Sequence, residues 1–286
     1  GCAAAVQCAR LGLAVKLLDK TGRAGGLIKE ARLIENCPAL ADPVTGEEFA
    51  DRLCTSLERL SISVMRESVE SVERSESGFS LHTSHGRHDC RTVILATGTE
   101  PVDFTLSGDT GIVLRSFLDL PGHLSGMSIA VIGGGEAALD YALHAADLGA
   151  NVSLLIRGNS PRATGTLLEA VLVRDEIRLM YDTDPMSLVR EGSRTFLQIR
   201  SNGISTRLSV DAVLAAVGRR AVLPELPELC EDLSSAIITA SPAPGIFICG
   251  DALLGSLGQA GTAIGQGLQA AMGCMRYLCD GAGGDP

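Results

Sequence analysis

Ser128-Ile129-Ala130-Val131-Ile132-Gly133-Gly134-Gly135-Glu136-Ala137-Ala138 is the stretch on which the fold reading turns. Five residues with the pattern of a buried strand run into a glycine-rich turn, and Leu139 to Ala146 continue as a small-residue helix. This is the strand, Gly-x-Gly-x-x-Gly/Ala turn and helix of a dinucleotide-binding βαβ unit. Gly133 permits the tight turn, Gly135 lets backbone N–H groups approach a pyrophosphate, and Ala138 lets helix and strand pack closely. Glu136 opens the helix. A second strand, Val152-Ser153-Leu154-Leu155-Ile156, follows Gly149 and ends at Arg157. An acid there would favour NAD, whereas Arg157 and Arg162 suit a 2′-phosphate, so NADPH is expected with NADH as the alternative. Solvated loop charges are the bland reading of the same two arginines.

The N-terminal residues repeat the second half of the same unit. A small-residue helix, Gly1 to Gly12, leads to the apolar run Ala14-Val15-Lys16-Leu17-Leu18 and then Asp19, an acid placed to hold ribose hydroxyls. Ala138 and Arg157 are nineteen positions apart, Gly1 and Asp19 eighteen, so the registers match. Gly1 takes the place of the last fingerprint glycine, which predicts that one strand and two glycines precede the given sequence. One module ends acidic and the other basic, and two different dinucleotides are expected. A third signal lies near the other end. Gly245 to Asp251 reads as a short strand closing in Gly-Asp and followed by a glycine-rich loop, and a helix then begins at Gln259-Ala260-Gly261 with free N–H donors at its start.

Composition narrows the classes. With 286 residues the chain exceeds the usual domain size of about 100–200, and two domains are expected. Hydrophobic residues at 45% and charged residues at 20% make an ordinary globular balance, and no apolar run reaches the roughly 18 residues of a membrane span. Lys+Arg 24 against Asp+Glu 34 leaves a net charge of −10, which disfavours nucleic acid as a partner. Nine cysteines (2, 8, 37, 54, 90, 230, 249, 274 and 279) are scattered without any Cys-x-x-Cys, a pattern that reads as a reducing cytoplasm with cysteine used as a small buried hydrophobe. Cys274 and Cys279, five apart on a helix, point in different directions, which argues against a local disulfide. His82, His85 and His88 sit near Cys90 in a polar hairpin-like stretch, and no metal is expected there.

Six pieces, in order, carry a family resemblance: Gly25-Gly26-Leu27 with Ile34-Glu35-Asn36-Cys37-Pro38, Ile94 to Gly98, Gly133 to Ala138, Arg157 with Arg162, Ala216-Val217-Gly218, and Cys249-Gly250-Asp251 with Gln259-Ala260. Over essentially its whole length the chain resembles the low-molecular-weight thioredoxin reductases and the thioredoxin-reductase-type ferredoxin–NADP reductases. The resemblance implies an α/β fold of two Rossmann-like three-layer ββα domains: an FAD domain of residues 1–104 plus 218–286, and an NAD(P)H domain of 105–217. It also implies a homodimer and hinges at Thr99 to Phe104 and Gly218 to Val222. FAD would be held by Gly1, Asp19, Gly25, Gly26, Leu27, Asn36, Thr97, Gly98, Gly250, Asp251, Gln259 and Ala260. NAD(P)H would be held by Gly133, Gly135, Glu136, Ala138, Arg157, Arg162 and Gly218.

The departures matter as much. Thioredoxin reductases of this type carry a redox Cys-x-x-Cys ahead of the strand that leads to Gly133, and here Ile112 to Leu120 contains no cysteine. One sulfur must attack and the other resolve, so the usual relay to thioredoxin is chemically excluded. Asp140-Tyr141-Ala142-Leu143 is similar to the ferredoxin–NADP reductases, Asn36-Cys37-Pro38 to the thioredoxin reductases, and Gly158 stands where a further arginine is common. The expected activity is hydride transfer from NAD(P)H to flavin N5 and on to another acceptor: a ferredoxin-like protein, a quinone, a small disulfide or oxygen. Cys37 is the one side chain named for catalysis, as a charge-transfer or mixed-disulfide thiol, with apolar packing against the ring as its alternative. A competing class is a vestigial flavoprotein that senses nucleotide or redox state.

Overall fold

The computed structural model describes residues 1–38, 40–227 and 241–282; Cys230 lies outside them. The chain divides into two compact units. One comprises Gly1–Lys29, Leu33–Glu100 and Arg219–Pro286; the other comprises Glu30–Arg32 and Pro101–Gly218.

The second unit is built on a five-stranded sheet with the order Ile177–Met180, Asn151–Leu155, Ser128–Ile132, Ala212–Ala215, Val113–Leu114, parallel throughout. Side chains alternate across a strand, so each face needs its own cover. Ile129 and Val131 pack with Leu139 and Leu143 of the helix Glu136–Asp147 and with Leu154 and Leu214. Ala130 and Ile132 pack with Leu188, Leu197, Ile199 and Val213. That second cover is an antiparallel meander, Thr183–Glu191, Arg194–Ser201 and Ile204–Val210. Its last turn, Asn202-Gly203, has φ of +49° and +79°, the pairing of left-handed residues that matches the twist of a two-residue hairpin. Meander, sheet and helix make three layers, and the central strand reads as one apolar run because both of its faces are buried.

In the first unit the helix Cys2–Arg10 lies against the helix Ala260–Ala282, where a Cβ on Gly267 would come within 3.0 Å of the Ala4 nitrogen. Ala4, Ala5, Cys8, Ala270, Ala271 and Cys274 are all buried, so small side chains allow the close approach. The strand after the first helix is Leu17–Asp19, shorter than the apolar run from Ala14 suggests, because its ladder with Val64–Arg66 is three residues long. Val93–Leu95 pairs in parallel with Ile246–Ile248, packing with Phe79, Leu81 and Val72 of a three-stranded antiparallel sheet. The helix Gly46–Glu58 is started by a capping box between Thr45 and Glu48. Among the described residues, no helix is long and apolar enough to cross a membrane.

Candidate functional site

In the second unit the fingerprint turn is fixed from three sides. The Gly133 N–H donates to the Leu155 carbonyl at 3.0 Å, and the Ala216 N–H donates to the Ile132 carbonyl at 2.8 Å. Gly133 has φ +146°, and a Cβ on it would lie 2.4 Å from the Ala216 carbonyl oxygen and 3.0 Å from the Ala138 Cβ. Ala138 is fully buried, and Gly135 caps the helix Glu136–Asp147. The loop after the second strand folds back over the turn, with the Arg162 and Ala163 N–H groups donating to the Gly134 carbonyl at 2.7 and 3.1 Å. This brings Arg162 Nη2 to 3.7 Å from the place a Gly135 Cβ would take. Among the described residues, no carboxylate engages Arg162 or Arg157, and both are exposed. Gly218 ends this unit, its carbonyl accepting from the Val102 N–H at 3.1 Å.

A guanidinium beside the positive end of a helix is unfavourable for the protein alone, and becomes favourable when both face one anion. The Glu136 carboxylate in the first turn offsets part of that field. Turn, helix end and arginine together fit the pyrophosphate of a dinucleotide.

The first unit holds the residues expected to bind flavin. Gly1 begins the first helix, its carbonyl accepting from the Ala5 N–H at 2.9 Å. Asp19 ends the Leu17–Asp19 strand. Its Oδ1 accepts from the Thr21 N–H at 2.7 Å and the Thr21 hydroxyl at 2.6 Å, which leaves Oδ2 without a protein donor among the described residues. Gly25 precedes, and Gly26 and Leu27 begin, the 3-10 turn Gly26–Glu30. Asn36 Nδ2 donates to Gln259 Oε1, joining the loop to the residue ahead of the helix that opens at Ala260. The Thr97 hydroxyl donates to the Val222 carbonyl, and the Val222 N–H to the Gly98 carbonyl at 3.1 Å. The Gly250 N–H donates to Gln266 Oε1 at 2.7 Å.

Asp251 opens a short helix, Asp251–Leu254, where the sequence suggested only a loop. Its Oδ1 lies 2.1 Å from where a Gly258 Cβ would be, so a side chain at 258 would require the Asp251 carboxylate to move. Burial pushes the Asp251 carboxyl up, and Arg219 pulls it down. No protein donor reaches the carboxylate among the described residues, so a bound hydroxyl would relieve its desolvation. Asp19 and Asp251 therefore both fit the polyhydroxyl parts of FAD.

Cys37 is buried and its thiol is free. His82 meets Glu73, His85 meets Ser84, and His88 lies between Glu67 and Lys16. Within the first unit Arg219 donates to the Thr99 hydroxyl at 2.9 Å and carbonyl at 2.8 Å, and Arg220 pairs with Glu100 at 2.6 Å. Sequence reasoning missed Arg219 and the buried Glu30, because each is defined by a partner far along the chain, and it missed Gln266, whose partner Gly250 precedes the helix.

The family model for pyridine nucleotide-disulphide oxidoreductases matches residues 1–267. The chain is 28% identical to a bifunctional thioredoxin reductase/thioredoxin of Mycobacterium leprae, covering 99% of this chain and 64% of that protein. It is 27% identical to a thioredoxin reductase of Treponema pallidum, covering 97% and 94%. It is 26% identical to the NADPH-dependent thioredoxin reductase 3 of Arabidopsis thaliana, covering 97% and 56%. The chain thus spans less than two thirds of the first and third of these relatives. In fold it is similar to the Lactococcus lactis thioredoxin reductase, with a TM-score of 0.87 at 22% identity over 98% of this chain and 96% of that one. It is also similar to the bacillithiol disulfide reductase of Bacillus cereus, with a TM-score of 0.76 at 20% identity over 97% and 95%. With the fingerprint turn in one unit and the two carboxylates in the other, the chain belongs to the pyridine nucleotide-disulphide oxidoreductase family, whose thioredoxin-reductase branch is built around FAD and NADPH.

Proposed function

We propose that the chain is an FAD-dependent NAD(P)H oxidoreductase whose final acceptor is reached without a Cys-x-x-Cys relay. The observation that carries this reading is the Arg162 guanidinium against the Gly135 end of the helix Glu136–Asp147, an arrangement that calls for an anion. FAD, when bound, supplies the hydride-accepting N5 and the two-electron chemistry. The chain's own residues bind and orient. Backbone N–H groups of the 133–136 turn and Arg162 take the pyrophosphate of the nicotinamide dinucleotide, and Arg157 takes the 2′-phosphate of NADPH. Asp19 and Asp251 accept hydroxyls of FAD, with Gly1, Gly25, Gly26, Leu27, Thr97, Gly98 and Gly250 lining its path. Asn36 and Gln259 hold each other, with Ala260 behind them, on the side assigned to the ring's pyrimidine edge. No side chain needs to carry a proton for hydride transfer, and none is assigned that role.

Two observations bear on the acceptor. The sequence has no Cys-x-x-Cys, and Ser116 and Phe117, in the stretch where the dithiol would stand, are both bonded to Glu30. The relatives are named for thioredoxin and bacillithiol disulfide reduction, which favours a small disulfide over a ferredoxin-like protein or a quinone. In that case Cys37 is the thiol available for a mixed disulfide. The test is anaerobic: reduce the protein with one equivalent of NADPH, add each acceptor class separately, and follow return of the flavin's visible band. Rapid reoxidation by one class in the wild type, lost in Cys37→Ala only when that class is a disulfide, supports the reading. Reoxidation of wild type and Cys37→Ala alike by a disulfide removes Cys37 from the reaction.

A further inference from the structure

Within the second unit the strand Asn151–Leu155, two residues short of Arg157, runs parallel to Ile177–Met180 with Leu155 opposite Met180. Beyond that pair the two segments leave the regular ladder but stay bonded. The Ile156 N–H donates to the Met180 carbonyl at 2.9 Å, the Thr183 N–H to the Ile156 carbonyl at 3.1 Å, and the Asp182 N–H to the Gly158 carbonyl at 3.0 Å. Arg157 is therefore held through both of its chain neighbours by Asp182 and Thr183. That support is itself fixed from behind. The Asp182 carbonyl accepts from the Asn202 N–H at 3.2 Å, and the buried Thr183 hydroxyl donates to the Tyr181 carbonyl at 2.7 Å and lies 3.0 Å from the Ser201 hydroxyl.

Asp182 has φ +46°, a left-handed conformation that Asp and Asn tolerate better than most side chains. It is exposed, and among the described residues no donor engages its carboxylate. Neighbouring strands lie about 4.8 Å apart, so this free carboxylate stands within an arginine's reach of Arg157. In a dinucleotide unit the acid that accepts ribose hydroxyls ends the second strand. Here Arg157 has that place, and the acid stands beside it, just past the end of the adjoining strand. A 2′-hydroxyl can donate to such a carboxylate. A 2′-phosphate meets in it a like charge that also competes for Arg157.

We infer that Asp182 is a specificity-determining residue of the nucleotide site, accepting the adenosine ribose hydroxyl of NAD(H) and narrowing the preference for NADP(H) that Arg157 confers. The inference rests on the nucleotide site proposed above. Its test is calorimetric titration of the flavin-bearing full chain with NADP⁺ and, separately, NAD⁺. Asp182→Asn keeps a residue suited to positive φ and removes only the charge. Asp184→Asn removes an exposed acid two positions on, opposite Arg200 in the meander, and controls for net charge. In Asp182→Asn, NADP⁺ is expected to bind about threefold to tenfold tighter and NAD⁺ weaker by a similar factor, while Asp184→Asn shifts their ratio by less than about twofold. An unchanged ratio in Asp182→Asn overturns the inference, as does an equal shift in Asp184→Asn or a change of both nucleotides in the same direction. A wild type that binds neither nucleotide overturns the proposed function instead.

Discussion

The carbonyl oxygen of Ala216 stands 2.4 Å from the point a Cβ on Gly133 would occupy, so the end of one parallel strand dictates the residue at the turn of its neighbour. The near atoms are Ala216 backbone and the Ala138 Cβ, neither of them the end of a flexible side chain, and φ of +146° is strained for any L side chain. Gly133→Ala is expected to cost about 3 kcal/mol or more. Gly265, in the helix Ala260–Ala282 with nothing within 4 Å of its Cβ position, gives the opposite sign. Gly265→Ala is expected to stabilise by about 0.5–1 kcal/mol. Thermal unfolding of the two variants beside wild type checks both; a Gly133→Ala protein with an unchanged melting temperature would contradict the packing described for the turn.

Arg157 and Arg162 should separate in their effects. Arg162 faces the helix end, so Arg162→Ala is expected to weaken NADPH and NADH together by about tenfold to a hundredfold. Arg157→Ala is expected to raise KM for NADPH by a similar factor while leaving NADH nearly unchanged. Steady-state KM values with both nucleotides decide it, and an equal loss in Arg157→Ala removes the 2′-phosphate role.

Burial disfavours the charged form of Asp147, but hydrogen bonds from Arg32 and Arg174 outweigh it and hold the carboxyl below its ordinary range. The folded value is then lower than the unfolded value of about 3.9, so its stabilisation is present above that pH and is lost as pH falls through the folded value. With the side chain 37% exposed, solvent screening keeps the effect modest. Asp147→Asn is expected to melt earlier at neutral pH and to lose less on acidification between about pH 5 and 3 than wild type does. Parallel melting curves for the two proteins across that range would contradict the assignment.

Burial pushes the thiols of Cys8, Cys90, Cys249 and Cys274 up, Cys274 to about 11, whereas Cys279 is exposed five positions further along the same helix. Thiolate is the reactive form, so at mildly alkaline pH iodoacetamide should label Cys279 quickly and spare Cys274 until denaturant is added. Peptide mass spectrometry reads both sites. Labelling of Cys274 at the rate of Cys279 in the native protein would contradict its burial.

The strand, turn and helix around Gly133 were legible in the sequence because they follow one another within a few dozen residues and each imposes a small residue or an apolar period; the Ala216 carbonyl that also presses on Gly133 comes from a strand far along the chain. The place of Asp19 at a strand end was legible, and so was the Gly-Asp that follows a strand at 250–251, though not the short helix that Asp251 opens. Glu30 was not, since its partners lie 86, 87 and 111 positions away and nothing local distinguishes it from a solvated charge. The meander had a signal that could have been read, Asn202-Gly203 between two alternating runs. The shortness of Leu17–Asp19 had none, because a strand's length is set by its partner as much as by its own apolar residues.

The proposed reaction has the chain receive hydride from a nicotinamide on its own flavin. Rapid mixing of the flavin-bearing full chain with NADPH, and separately with NADH, under anaerobic conditions tests it most directly. NADPH is expected to bleach the flavin's visible band within a single turnover, faster than NADH does. A protein that carries flavin and binds both nucleotides but leaves that band unbleached would contradict it, and a sensor that binds without turning over would then be the better description.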